Sequence, residues 1–334
     1  MTDGHVERGS THKGKVSELG EAGLLSMLRD RLRKPGPGEV WAGDDTAVLT
    51  PPHGDLLFTV DTLVEGVDFN LSYSSGKDVA WKALAANASD IAAMCGRPMH
   101  AVTSLSMPRS TDLAFVEDLI AGLNDAAERW GIALVGGDIS EAAVIVVTIA
   151  LLGSADGAPV LRSGARPGDS IYVTGALGGA AGGLALLRSG SERNDDAALR
   201  LKGRQLRPEP RVAEGLWLAG FQPTAMIDLS DGLARDLSRI LDAGGLGCRV
   251  DEGLIPVDPD LSTLEDIDPL AAALTGGEDL ELLFTIDPES EAGIAARAPT
   301  GTPLTRIGDV TEGARTIGDA GLDEWRDRGW DHLR

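Results

Sequence analysis

The chain has 334 residues, 43% of them hydrophobic, with 30 Lys and Arg against 52 Asp and Glu, a formal charge of −22. That length accommodates one large domain or two medium ones, no apolar run approaches the roughly 20 residues of a membrane helix, and the acidic balance disfavours nucleic acid and anionic membranes as partners. The two cysteines, Cys95 and Cys248, and five scattered histidines exclude a disulfide framework or a thiolate zinc site and suit a cytoplasmic protein.

Residues 1–16 lack the apolar stretch of a signal peptide and are expected to be a disordered leader. Residues 17–33 read as a helix with Leu24, Leu25 and Leu28 on one face, ended by "PGPG" at 35–38. "DLLFTVDTLV" (55–64) is a β-rich run. Residues 78–94 form a helix, with Trp81, Leu84, Ala85, Ala88 and Ile91 at helical spacing. "AVTSLSM" is a strand, 111–130 a second helix, and "IALVGGD" and "AVIVVTIALLG" are further strands. The texture then changes. "RSGARPGDSIYVTG" leads from loop to strand, and "GALGGAAGGLALL" turns from that strand into a helix. "AMIDLSDGLARDLSRIL" reads strand, turn, helix, and "GCRVDEGLIPV" and "LELLFTI" read as strands. The chain is therefore α/β (α+β) in two domains, 17–155 and 156–334, with a boundary near 153–162.

The acids recur in one form: an apolar segment ends, and an Asp follows. Examples are Asp44-Asp45 in "WAGDDTAVL", Asp61 in "FTVDTLVEGVDF", Asp90 in "AANASDIAAM", Asp138 in "LVGGDIS", and Asp228 with Asp231 in "IDLSDG". "TGGEDLELLF" adds Glu278 and Asp279. Each has an ordinary alternative. Gly-Asp-Asp and Gly-Gly-Asp are turn chemistry, Asp61 can face outward from a strand, Asp90 can sit on a helix surface beside Asn87, and Asp231 can cap the helix that follows it. A cap does not explain Asp228, set within an apolar strand where an unpartnered carboxylate is costly. One shared explanation covers them all: carboxylates converging on a cleft that holds several Mg²⁺ ions and phosphates. No P-loop or protein-kinase motif is present; the glycines of 175–183 lack the P-loop Lys and suit close strand–helix packing instead.

The ordered set "GDDTAVL", "TVDTLVEGVDF", "WKALAANASDIAAMCGRP", "GGD", "RSGARPGD", "IDLSDGL", "GGEDLELLF" and "GWDHL" resembles the thiamine-monophosphate kinase family. Its superfamily also holds aminoimidazole-ribonucleotide synthetase and selenophosphate synthetase. The resemblance implies a two-domain PurM-like architecture, with an N-terminal mixed sheet and helices forming a homodimer and a C-terminal α/β domain completing the site. It implies direct in-line phosphorylation of thiamine phosphate by ATP with Mg²⁺, and K⁺ as a further cation. Carried over by position, Asp44, Asp45, Thr59, Val60 (through its backbone), Asp61, Asp90, Asp138, Asp228 and Asp231 would hold metal. Gly137, Asp138, Arg162 and Ser230 would meet ATP, and Asp68, Glu278 and Trp330 the acceptor. Many members carry His where this chain has Asp68. Another ATP-dependent synthetase of the superfamily, or a non-catalytic nucleotide-binding regulator, is the alternative.

Overall fold

The computed structural model describes residues 14–42, 45–291, 293, 294, 298 and 300–329. The first half runs α1 (Val16–Arg29), β1 (Asp55–Val64), α2 (Gly76–Ala93), β2 (Arg97–Met107), α3 (Leu113–Trp130), β3 (Ala133–Glu141) and β4 (Val146–Ala155). The second half opens with β5 (Ser170–Thr174), α4 (Gly179–Arg188), α5 (Asp196–Leu206), α6 (Val212–Leu218), β6 (Ala225–Asp228) and α7 (Leu233–Gly244). It continues with β7 (Gly247–Val250), α8 (Pro269–Thr275), β8 (Leu282–Ile286), α9 (Pro288–Glu291), β9 (Leu304–Thr311), β10 (Arg315–Ile317), β11 (Ala320–Gly321) and α10 (Leu322–Arg326).

The first four strands form one sheet in the order β1-β4-β2-β3, antiparallel except for the parallel β2–β3 pair. In β1, Leu57 and Leu63 point inward with Thr59 and Asp61 on the same side, because alternate residues share a face. That face is covered by α2 and α3, through Val79, Ala83, Leu84, Ile91, Leu119 and Ile120 among others. Helix α2 begins at a capping box: Asp78 N donates to Ser75 Oγ, and Ser75 N donates to Asp78 Oδ2 at 3.0 Å.

The remaining strands form a second sheet, β11-β10-β7-β9-β5-β8-β6, antiparallel except for β10–β7. Helix α7 lays Leu233, Leu237, Ile240 and Leu241 against one face. The other face meets the end of α2: Ala92, Ala93 and Cys95 pack with Leu218, Met226, Leu282 and Phe284. The approach is close enough that a Cβ on Gly215 would stand 2.4 Å from the Ala92 carbonyl oxygen. Helix α2 therefore belongs to both halves. Among the described residues, no helix is long and apolar enough to cross a membrane.

Several expectations need correction. The first helix stops at Arg29, not at residue 33, and Gly20 breaks it with φ 68° and ψ 171°. It begins at Val16, within the stretch expected as a leader, where Lys15 already pairs with Asp112 at 2.7 Å. Only Gly247–Val250 of "GCRVDEGLIPV" is strand, and a 3₁₀ turn at Glu252–Leu254 interrupts the remainder.

Candidate active site

The site lies where α2 crosses from β1 of the first sheet to β6 of the second. Thr59 Oγ1 donates to Asp90 Oδ2 at 2.5 Å, and Ser89 Oγ donates to Asp228 Oδ2 at 2.8 Å. Neighbours on one helix thus reach in two directions, one to each domain. Asp228 is buried at the end of β6. Its carboxyl is pushed up to about 8, first by burial, then by Asp90 and Asp236, with Asp61 adding to the effect and the Ser89 hydrogen bond opposing it. Burial also raises Asp90, against the Thr59 hydrogen bond and the attraction of Arg162. The structure therefore brings Asp61, Asp90 and Asp228 within electrostatic reach of one another, with Thr59 bonded to Asp90 and Arg162 close enough to act on it. Oxygen donors with an excess of negative charge suit a hard divalent cation. Among the described residues, no three His, Cys, Asp or Glu side chains are grouped so that they could hold a metal ion by themselves. Mg²⁺ does not require such a group, since one or two carboxylates with water and substrate phosphates complete its shell.

The turn after β6 is held from behind. Asp236, fully buried on α7, accepts from the backbone N–H of Ser230 and of Asp231, both at 3.0 Å. Arg239 binds Asp236 Oδ1 at 2.5 Å and also grips Asp231. Burial pushes the Asp236 carboxyl up to about 7 against the pull of Arg239. Asp231 does not cap α7; the residue at that boundary is Gly232, with no side-chain cap. Ser230 lies past the end of β6, so this turn and not strand alternation decides its direction.

A third cluster surrounds Glu278. Lys82, buried on α2, meets Glu278 Oε1 at 2.6 Å and donates to the Asp68 carbonyl oxygen at 2.8 Å. Gln205 Nε2 on α5 donates to Glu278 Oε2 at 2.6 Å. Asp68 Oδ2 accepts from Val64 N at 2.8 Å, which turns its carboxylate toward the end of β1. Asp68 and Glu278 are thus joined through Lys82. Asp279 is drawn the other way, to the start of α4, where it accepts from Gly178 N at 2.6 Å and Ala180 N at 3.1 Å. Burial pushes its carboxyl up to about 7. Glu281 is a core ion pair, with Arg211 at 2.5 Å and Thr174 Oγ1 at 2.6 Å.

Of the other expected residues, Gly137 and Asp138 are on β3, the strand at the opposite edge of the first sheet from Thr59 and Asp61; Asp138 is exposed and Ser140 Oγ donates to it at 3.2 Å. A Cβ at Gly137 would meet the Thr103 carbonyl oxygen at 2.2 Å. Asp45 is exposed within the loop closed by the Val40–Val48 bridge. The side chain of Val60 points outward from β1, which leaves its backbone for any role. Asp44 and Trp330 lie outside the described residues.

Sequence reasoning missed Lys82, Ser89, Gln205, Asp236 and Arg239. Two carried a signal: Lys82 interrupts an apolar helix, and Asp236 falls on the stripe of Leu233, Leu237 and Ile240. Gln205 carried none.

Residues 43–155 match the N-terminal domain of the AIR synthase related proteins, and residues 166–320 match the C-terminal domain. Thiamine-monophosphate kinase of Escherichia coli (strain K12) is 39% identical over 327 residues, covering 94% of this chain and 98% of that one. Thiamine-monophosphate kinase of Bacillus subtilis (strain 168) is 36% identical over 300 residues, covering 88% and 92%. The solved structure of AaThiL complexed with AMPPCP and TMP superposes with a TM-score of 0.77 at 32% identity, covering 96% of this chain and all of that one.

Proposed function

This chain belongs to the thiamine-monophosphate kinase family, and from that premise we propose that it transfers the γ-phosphoryl group of ATP to thiamine phosphate, yielding thiamine diphosphate and ADP. The observation that carries this reading is the convergence of Asp90 and Asp228 from the two domains, in a chain that matches the family over nearly its whole length.

In phosphoryl transfer, catalysis is mostly positioning and charge neutralisation. Mg²⁺, when bound, offsets the repulsion between the phosphates of donor and acceptor. Asp90 and Asp228 would hold it, with Thr59, Asp61 and the Val60 backbone beside them and Asp45, Asp138 and Asp231 as further carboxylates. Arg162, within electrostatic reach of Asp90, clamps a donor phosphate. Gly137 meets ATP through its backbone and Ser230 through its hydroxyl. Glu278 and Asp68, joined through Lys82, meet the acceptor. No side chain is assigned as general base, because the attacking phosphate oxygen already carries charge. ATP use and two buried thiols fit the cytoplasm.

The active form is a homodimer built on the first sheet. Leu56, Phe58, Val60 and Val102 present an apolar outer face, with Phe58 at 68% exposure. A second copy covers such a face more readily than water does.

The test is direct. Purified protein incubated with ATP, thiamine phosphate and Mg²⁺ should release ADP and thiamine diphosphate in equal amounts. ADP without thiamine diphosphate, or neither product, overturns the reading.

A further inference from the structure

We propose that Lys82 and Gln205 are positioning residues for the phosphoryl acceptor, acting by fixing both carboxylate oxygens of Glu278. The inference deepens the reading of the site given above and rests on it.

The two donors come from different domains. Lys82 lies on α2 and Gln205 next to the end of α5, and each takes one oxygen of Glu278, both at 2.6 Å. Lys82 spends a second hydrogen bond on the Asp68 carbonyl oxygen, which ties the other expected acceptor contact to the same ammonium. Both donors are buried, whereas the Glu278 side chain keeps 33% of its surface open. A carboxylate gripped from behind on both oxygens, with an open front, presents its remaining lone pairs in one direction only.

Nothing in the packing asks for this arrangement. An apolar side chain would fill the Lys82 position, beside Phe69, Val79 and Leu206, at lower desolvation cost. The Gln205 amide must turn its only donor end, Nε2, toward the carboxylate, and its Oε1 is left buried with no partner among the described residues. A buried acceptor without a donor is unfavourable. Glu278 and Leu280 adopt φ of 72° and 50° although Gly276 and Gly277 stand beside them, so the loop keeps side chains where the backbone would favour glycine. Strain of this kind is retained where a side chain must face one way.

The experiment is a double-mutant cycle between Gln205→Leu and Glu278→Gln, read as separate KM values for thiamine phosphate and ATP. Gln205→Leu should raise the KM for thiamine phosphate by roughly 10- to 100-fold, the equivalent of one hydrogen bond to a charged group. The KM for ATP should stay within about twofold, and in the Glu278→Gln background Gln205→Leu should add less than about twofold. Lys82→Met should behave alike; if it melts early, the volume-conserving Gln205→Leu carries the cycle alone. Effects that multiply in the double variant, or a KM for ATP that rises in parallel, overturn the inference while leaving the kinase reading intact. Wild-type protein that neither binds nor phosphorylates thiamine phosphate overturns both.

Discussion

The backbone N–H of Glu278 donates to the carbonyl oxygen of Ser230 at 2.9 Å, joining two loops 48 residues apart in the chain. A second bond, from Leu280 N to the Leu229 carbonyl oxygen at 3.0 Å, completes a short ladder. The turn that carries Asp231 and the loop that carries Glu278 are therefore tied together. Asp236 and Arg239 support the pair on one side, and Lys82 and Gln205 on the other.

Asp231→Asn keeps the size of the side chain and removes its charge from the proposed metal site. Turnover at saturating Mg²⁺ should fall at least about a hundredfold, on the order of 3 kcal/mol of barrier, with circular dichroism unchanged. Near-normal turnover would strike Asp231 from the site.

At neutral pH the Asp228 carboxyl, pushed up to about 8, holds a proton that a bound cation must displace. The rise in Tm produced by MgCl₂ should therefore grow with pH up to about 8 and then level. In Asp228→Asn the rise should be small and should lose this pH dependence. A Mg²⁺ response equal at acidic and alkaline pH would contradict the assignment.

Asp279 gives a pH dependence of stability with a definite sign. Its carboxyl stands at about 7 in the folded protein against 3.8 for the ordinary group. Between those values the folded state keeps a proton that the unfolded chain has lost, so stability is greatest below pH 4 on this account and declines as pH rises to 7. The decline attributable to this group is on the order of 4 kcal/mol. Urea unfolding of Asp279→Asn across that range should show a slope shallower by one proton than wild type.

Arg211→Met would leave Glu281 buried and uncompensated beside Thr174. Breaking such a pair typically costs about 3–5 kcal/mol, which equilibrium denaturation should register as a lower midpoint. A change under about 1 kcal/mol would mean that Thr174 alone satisfies the carboxylate.

Phe58→Asp places a charge on the apolar outer face of the first sheet. Light scattering should give a dimer for wild type and a monomer for the variant. A wild-type monomer at micromolar concentration would remove the proposed interface.

Much of this protein was legible in the sequence alone. The β-run of 55–64 and the helix around 78–94 carry periodic apolar patterns strong enough to locate both, and an ordered series of local motifs identified the family. Periodicity failed where elements are short or depend on distant partners. The helices at Asp196–Leu206 and Val212–Leu218 and the last three strands went unread, because tertiary packing and not local pattern stabilises them. The acids were visible one by one, yet their characters were not. Asp228, Asp231 and Asp279 look alike in sequence, but one is buried against Ser89, one is gripped by Arg239, and one closes the start of α4. Asp90 and Asp228 stand 138 positions apart, and only the passage of α2 between the two sheets brings their charges together. Burial and the field of neighbouring charges decide what a carboxylate does, and both are properties of the folded chain.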